Sequence, residues 1–203
     1  MDDRLKVMIA GTMKVLGKQT DKSWKAVLST MMQNELLEPD GAEIARADKM
    51  IKESVNDFKI DGSADENIVR EAKTWFINLI ADDDVIQSTK IDINVMAQIV
   101  AQTGATIDSF ETLFAKNEHH EKDLVDIGVL RFPDFDHPFF KLYRIKLVAW
   151  SDCSRILFHQ ADKNGITGEF NCRIFRPRAS VIDGLTDAAR RKAISAANAM
   201  FDN

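Results

Sequence analysis

The sequence predicts an α+β fold: an N-terminal helical, bundle-like half, a three- to four-stranded antiparallel meander, and a C-terminal helix. Three observations carry this expectation. Apolar residues recur at spacings of three and four through the first half. The period changes to two from Leu124, and the second half is punctuated by the turn-forming runs Ser151-Asp152 and Asp162-Lys163-Asn164-Gly165. At 203 residues the chain is long enough to bury a core without disulfide staples. The expected layout is a single domain over 1–203, with helices in 1–122, sheet in 123–178 and a closing helix in 179–203.

Taken in order, Leu5, Ile9, Thr12 and Leu16 share one helical face, and Gly17 stands where a left-handed terminator belongs. Asp21 suits the cap of a second helix that buries Trp24, Leu28, Met31 and Met32. Glu38-Pro39-Asp40-Gly41 breaks that helix. Ile44, Ala47, Ile51, Val55 and Phe58, again three and four apart, predict a third. Lys59 to Gly62 reads as a loop. Ser63-Ala64-Asp65-Glu66 is a capping box for a helix presenting Ile68, Val69, Ala72, Trp75, Phe76, Leu79 and Ile80. Asp82-Asp83-Asp84 closes it, against the helix dipole. A shorter helix with Asp92, Val95, Met96, Ile99 and Val100 ends at Gly104, and Ile107, Phe110, Leu113 and Phe114 make one more.

From Leu124 to Arg131 apolar and polar residues alternate, and Pro133 to Pro138 is a loop. Phe140–Trp150, Ser154–Ala161 and Ile166–Arg176 read as strands, with Pro177 ending the last. Asp162 and Gly165 occupy the first and fourth positions of a type I turn. The implied three-residue hairpin pairs Phe158 with Phe170 and Ile156 with Cys172. A two-residue connection at Ser151-Asp152 pairs Leu147 with Ile156. One face then gathers Tyr143, Ile145, Leu147, Ile156, Phe158, Phe170, Cys172 and Ile174. The other carries Arg144, Lys146, Arg155, His159, Glu169 and Arg173. Cys153 and Cys172 point opposite ways, so no disulfide is expected, which fits a reducing compartment. The final helix, opened by Thr186, presents Ala189, Ala193, Ile194, Ala197 and Phe201.

Charge is segregated. Residues 1–127 carry 15 Lys and Arg against 24 Asp and Glu, whereas residues 128–178 carry nine against five, within a net charge of −5. An acidic front and a basic middle suggest two surfaces with different partners, or two halves that attract one another. The acidic total, and a basic face with no stacking aromatics beyond Phe175 and Trp150, argue against nucleic acid. The acidic start and interrupted apolar run predict no cleaved leader, and no run approaches the roughly 18 apolar residues of a spanning helix. The expected address is the cytoplasm, with leaderless export left open.

No nucleotide loop, metal box or catalytic triad signature stands in the sequence. Cys153 and His159, six residues apart on one strand, lie about 20 Å from each other, too far for proton transfer. Glu118-His119-His120-Glu121, near Asp134, Asp136 and His137, lacks ligand spacing and reads as a solvated helix end. Asp162-Lys163-Asn164-Gly165 lacks the glycine and glutamate of a calcium loop. No cofactor and no metal are therefore expected. His159 opposite Glu169 forms a cross-strand pair, expected as a solvated ion pair rather than a general acid and base.

The candidate binding residues are Arg144, Lys146, Arg155, His159, Glu169 and Arg173, a basic face suited to phosphate or to an acidic partner. The functional expectation is a non-catalytic accessory protein, adaptor- or chaperone-like, binding another protein such as a co-expressed exported or membrane-active one. The same surfaces would serve a homo-oligomer. The alternative is a small-molecule enzyme or sensor with its site around His159, Glu169 and Arg173.

Overall fold

The computed structural model describes residues 3–57, 66–101, 116–132, 138–156 and 159–201. Its elements are α1 (Asp3–Gly17), α2 (Trp24–Met32), β1 (Leu37–Asp57), α3 (Glu66–Ile80), α4 (Asp83–Ser88), α5 (Ile93–Ala101), β2 (Lys116–Phe132), β3 (Phe139–Ile156), β4 (His159–Pro177), α6 (Ala179–Asp183) and α7 (Asp187–Phe201). The strands make one antiparallel sheet in the order β1-β4-β3-β2. The fold is α+β. The chain divides into two units: Met1–Ile44 with Ile127–Tyr143 and Cys172–Asn203, and Ala45–Asp126 with Arg144–Asn171.

In the first unit α1 packs on α2, α6 and α7. Met8, Ile9, Val27, Met31, Leu37, Phe140, Leu142, Phe175 and Ile182 belong to one apolar cluster, and burying each large side chain of this kind contributes about 1.5–3 kcal/mol. The predicted α1 face is buried at Leu5, Ile9 and Thr12. Thr12 is tolerated there because its hydroxyl accepts from Nδ2 of the buried Asn34 at 3.0 Å. The cap of α2 is Ser23 rather than Asp21, and its Oγ accepts from the Ala26 amide. The Asp21 carboxylate accepts the Ser23 backbone N–H at 2.8 Å, and that bond, with a further one to the Ser23 side chain, holds its pKa below the usual carboxylate value. The α2 face that is buried is Val27 and Met31. Trp24 and Leu28 are half-buried and Met32 is exposed. At the other end Thr186 opens α7 as expected, accepting from the Ala189 amide. Ala197 is buried, Ala193 and Ile194 are half-buried, and Ala189 is exposed.

In the second unit α3 packs on α4 and α5. Its predicted face is the buried one: Ile68, Ala72, Phe76, Leu79 and Ile80. The expectation that Asp82-Asp83-Asp84 terminates α3 is corrected. Asp82 is the N-cap of α4, its Oδ1 accepting from the Val85 amide at 3.2 Å, and Asp83 and Asp84 fill that helix's first turn, where negative charge is favourable.

Two larger corrections concern strands. The third helix expected over Ile44 to Phe58 does not form; those residues, as far as Asp57, belong to β1, as does the supposed breaker Glu38-Pro39-Asp40-Gly41. Likewise Ser151-Asp152 lies inside β3, and Asp162-Lys163-Asn164-Gly165 lies inside β4, so neither is a turn. Ser151 bonds Asn164, Leu147 meets Gly168, and Arg144 bonds Asn171, a register centred between positions 157 and 158. Leu147 therefore stands opposite Gly168, not Ile156, and Cys172 is not paired with Ile156. The polar run is stable inside a strand because Asn164 is satisfied there. Its Oδ1 accepts from Ser151 Oγ at 2.7 Å and its Nδ2 donates to the Val100 carbonyl of α5 at 2.6 Å. Gly165 leaves room for the Trp150 ring, and Gly168 for Leu79 and Trp75.

The face expected to be buried is so at Tyr143, Ile145, Leu147, Phe170 and Cys172, while Ile174 is half-buried. Cys172 is not in a disulfide and acts as a small buried hydrophobe. The stretch Glu118-His119-His120-Glu121 runs in β2 and is not a helix end. The expected capping box at Ser63, the helix end at Gly104, the helix of Ile107 to Phe114, the loop 133–137 and the Phe158–Phe170 pair fall wholly or partly outside the described residues.

Candidate functional site

In the second unit the even residues of β1 turn to α3. Arg46 donates to the Leu79 and Ile80 carbonyls, Asp48 accepts from Trp75 Nε1 at 3.0 Å, and Lys52 pairs with Glu71. The odd residues Ala45, Ala47, Lys49 and Ile51 consequently face the other way, and all four are exposed. On β2, Asp126 accepts from Thr89 Oγ1 and from the Lys90 amide, which leaves its neighbour Val125 on the uncovered side. On β3 and β4 the alternation buries Ile145, Leu147, Ile166 and Phe170, and sends Lys146, Val148, Thr167 and Glu169 outward.

The cross-strand contacts set the layout of this open face. Arg46 lies over the Phe170 ring, 5.5 Å from its centroid, and Lys163 pairs with Glu53 at 3.3 Å. That register sets Lys49 beside Thr167 and Ala47 beside Glu169. The β3–β4 register sets Val148 and Lys146 on the far side of the same two residues. Between them is an open depression of about 490 Å³ lined by Ala47, Asp48, Lys49, Lys146, Val148, Thr167, Gly168 and Glu169.

Charge on the face is asymmetric. Arg144, with only 18% of its side chain exposed, donates from Nη1 to Asn171 Oδ1 at 3.0 Å and from Nη2 to Glu169 Oε2 at 2.8 Å. Glu169 is thus neutralised. Among the described residues Lys146, half-buried, and Lys49, exposed, have no acidic partner. Apolar surface adjoins them: Ile51 is 42% exposed and Val125 57%, and Val148 and Trp150 are half-buried. An arrangement of this kind can attract carboxylates and exclude water from an apolar contact.

Of the six residues singled out by sequence, Arg144, Lys146 and Glu169 come together here. Arg173 belongs to the first unit, where its Nε is buried without a hydrogen-bond partner. The side chains of Arg155 and His159 lie outside the described set, though their backbones are in β3 and β4. Because β3 runs unbroken through Ser151, position 155 has the opposite parity to 144 and 146. His159 and Glu169 are ten positions apart on one strand, about 33 Å, so the expected cross-strand pairing of these two is corrected. Lys49, Val148 and Thr167 were missed. Lys49 was hidden by the helical reading of its segment, and Val148 and Thr167 carry no chemical signal of their own. Among the described residues no three His, Cys, Asp or Glu side chains gather closely enough to share a metal, and no helix is long and apolar enough to cross a membrane.

No protein-family model matches the chain, and no curated protein sequence matches it.

Proposed function

We propose that this chain is a non-catalytic accessory protein, adaptor- or chaperone-like, that binds another protein through the open sheet face of its second unit. The observation that carries the reading is the placing of exposed Ile51 on β1 and Val125 on β2 either side of Lys49 and Lys146, which have no acidic partner among the described residues, on a face that α3, α4 and α5 leave uncovered. An apolar patch rimmed by unpaired charge has the composition of a protein interface. A partner that is itself exported or membrane-active, met in the cytoplasm, suits the charge segregation. The buried Cys172 thiol, outside any disulfide, is compatible with that compartment.

The test is affinity capture at low salt, comparing the native chain with the Ile51→Glu/Val125→Glu double variant after circular dichroism has shown that both are folded. Both positions are exposed, so folding should survive. The expected result is one protein retained by the native chain and lost by the variant. Recovery of nothing, with no salt-sensitive self-association, counts decisively against the reading. So does recovery that the double variant leaves unchanged.

A further inference from the structure

Resting on that reading, we infer that the depression between Lys49 and Lys146 takes an extended acidic segment of the partner, with two carboxylates four residues apart. The argument is one of spacing and charge. Lys49 on β1 and Lys146 on β3 are separated by two strand spacings and by two residues along the strand direction. With about 4.8 Å between strands and about 3.4 Å per residue, their Cα atoms stand about 12 Å apart. In an extended chain, residues i and i+4 project from one side and are about 13 Å apart. Two acidic side chains in that relation reach both ammonium groups at once. A helical segment brings i and i+4 to within about 6 Å and reaches only one.

The floor between the lysines suits a backbone laid across it. Ala47 and Val148 flank it with short apolar side chains, and Thr167 contributes an exposed hydroxyl beside Lys49. Glu169 would repel an acidic ligand if it were free. Its Oε2 is instead held by Arg144, so the guanidinium cancels that charge, and the other carboxylate of the lining, Asp48, accepts from Trp75 Nε1 of α3. The two ammonium groups, without an acidic partner among the described residues, stand at either end of the depression, and their complement is a pair of carboxylates.

The test uses a fluorescein-labelled nine-residue peptide of glycine and serine, with aspartates at its third and seventh positions, followed by anisotropy at low salt. Control peptides carry the aspartates at positions three and four, or asparagines at three and seven. The spaced peptide is expected to bind about tenfold more tightly than the asparagine peptide, and to weaken as salt is added. Lys49→Glu is expected to lower its affinity about fivefold, and the exposed Thr167→Glu by a comparable factor. Lys18→Glu, an exposed charge reversal in the first unit, should leave it unchanged. Equal binding of the asparagine or adjacent-aspartate peptide overturns the inference. So does a self-associating form that Lys49→Glu dissolves and the peptide does not displace, which would make a second copy the occupant. If the peptide results fail while capture of a protein still depends on Ile51 and Val125, this inference falls and the broader reading stands. Failure of both removes both.

Discussion

Residues 45–57 and 66–80 show the same apolar spacing of three and four, yet one forms β1 and the other α3. The difference lies in what occupies the intervening positions. In α3 the spaced residues are large and go inward: Ile68, Phe76, Leu79 and Ile80 are buried, and Glu66, Arg70 and Lys73 are exposed. In β1 the pattern is inverted. The side chains that face α3 are Arg46, Asp48, Met50 and Lys52, and those that face water include Ala47 and Ile51. Polar groups can line the inner side of this strand because each finds a partner on α3, a helix-end carbonyl, an indole N–H or a carboxylate. Amphipathic periodicity measures where apolar residues fall, and it fails where the side that meets a helix is held by hydrogen bonds instead.

Four measurements would break or sharpen that contrast. Phe76→Ala should cost about 3–5 kcal/mol in urea unfolding, while Ile51→Ala should stay within about 0.5 kcal/mol. Similar losses at both positions would mean that β1 buries its odd face after all. Arg46→Leu should cost about 1.5–3 kcal/mol, because it leaves two carbonyls at the end of α3 without their charged donor and removes the guanidinium from the Phe170 ring. Arg46→Lys should restore only part of this, since an ammonium cannot match the planar fork. A variant as stable as the native chain would show that the polar ladder contributes nothing.

Asn164→Ala should lower stability by about 1–3 kcal/mol, since the bonds from Ser151 Oγ and to the Val100 carbonyl are lost. An exposed turn at 162–165 would instead tolerate the change within about 0.5 kcal/mol. The smallest effect distinguishes by sign. Asp82→Ala should destabilise by about 1 kcal/mol if the residue caps α4. Were it the acidic tail of α3, its removal should stabilise by a few tenths of a kcal/mol.

Much of the fold was legible where apolar burial and local chemistry agree. The faces of α1 and α3, Thr186 opening α7, Pro177 closing β4 and the alternation that buries Ile145, Leu147 and Phe170 all have this character. What escaped was long-range. Asp162-Lys163-Asn164-Gly165 has the composition of a turn, and nothing near it in sequence announces that Ser151 and Val100 will satisfy Asn164 inside a strand. The candidate site was half legible for the same reason. Arg144, Lys146 and Glu169 sit on strands whose period is plain, whereas Lys49 reaches the face only because β1 is not a helix. Ser23 took the capping role from Asp21 by a shift of two residues, and the buried face of α2 is Val27 and Met31.

The outer margin of β1 bears on how copies of this chain behave when crowded together. A border strand of 21 residues offers a row of unpaired amides on which other chains can add without limit. Here Pro39 contributes no N–H and Gly41 swings to φ +69°, so the row is interrupted within its first five residues. Glu43, Lys49 and Glu53 then place charge along the remainder. The pair Pro39 and Gly41, which punctuates the sequence like a loop, thereby acts as a guard against fibre growth by strand stacking.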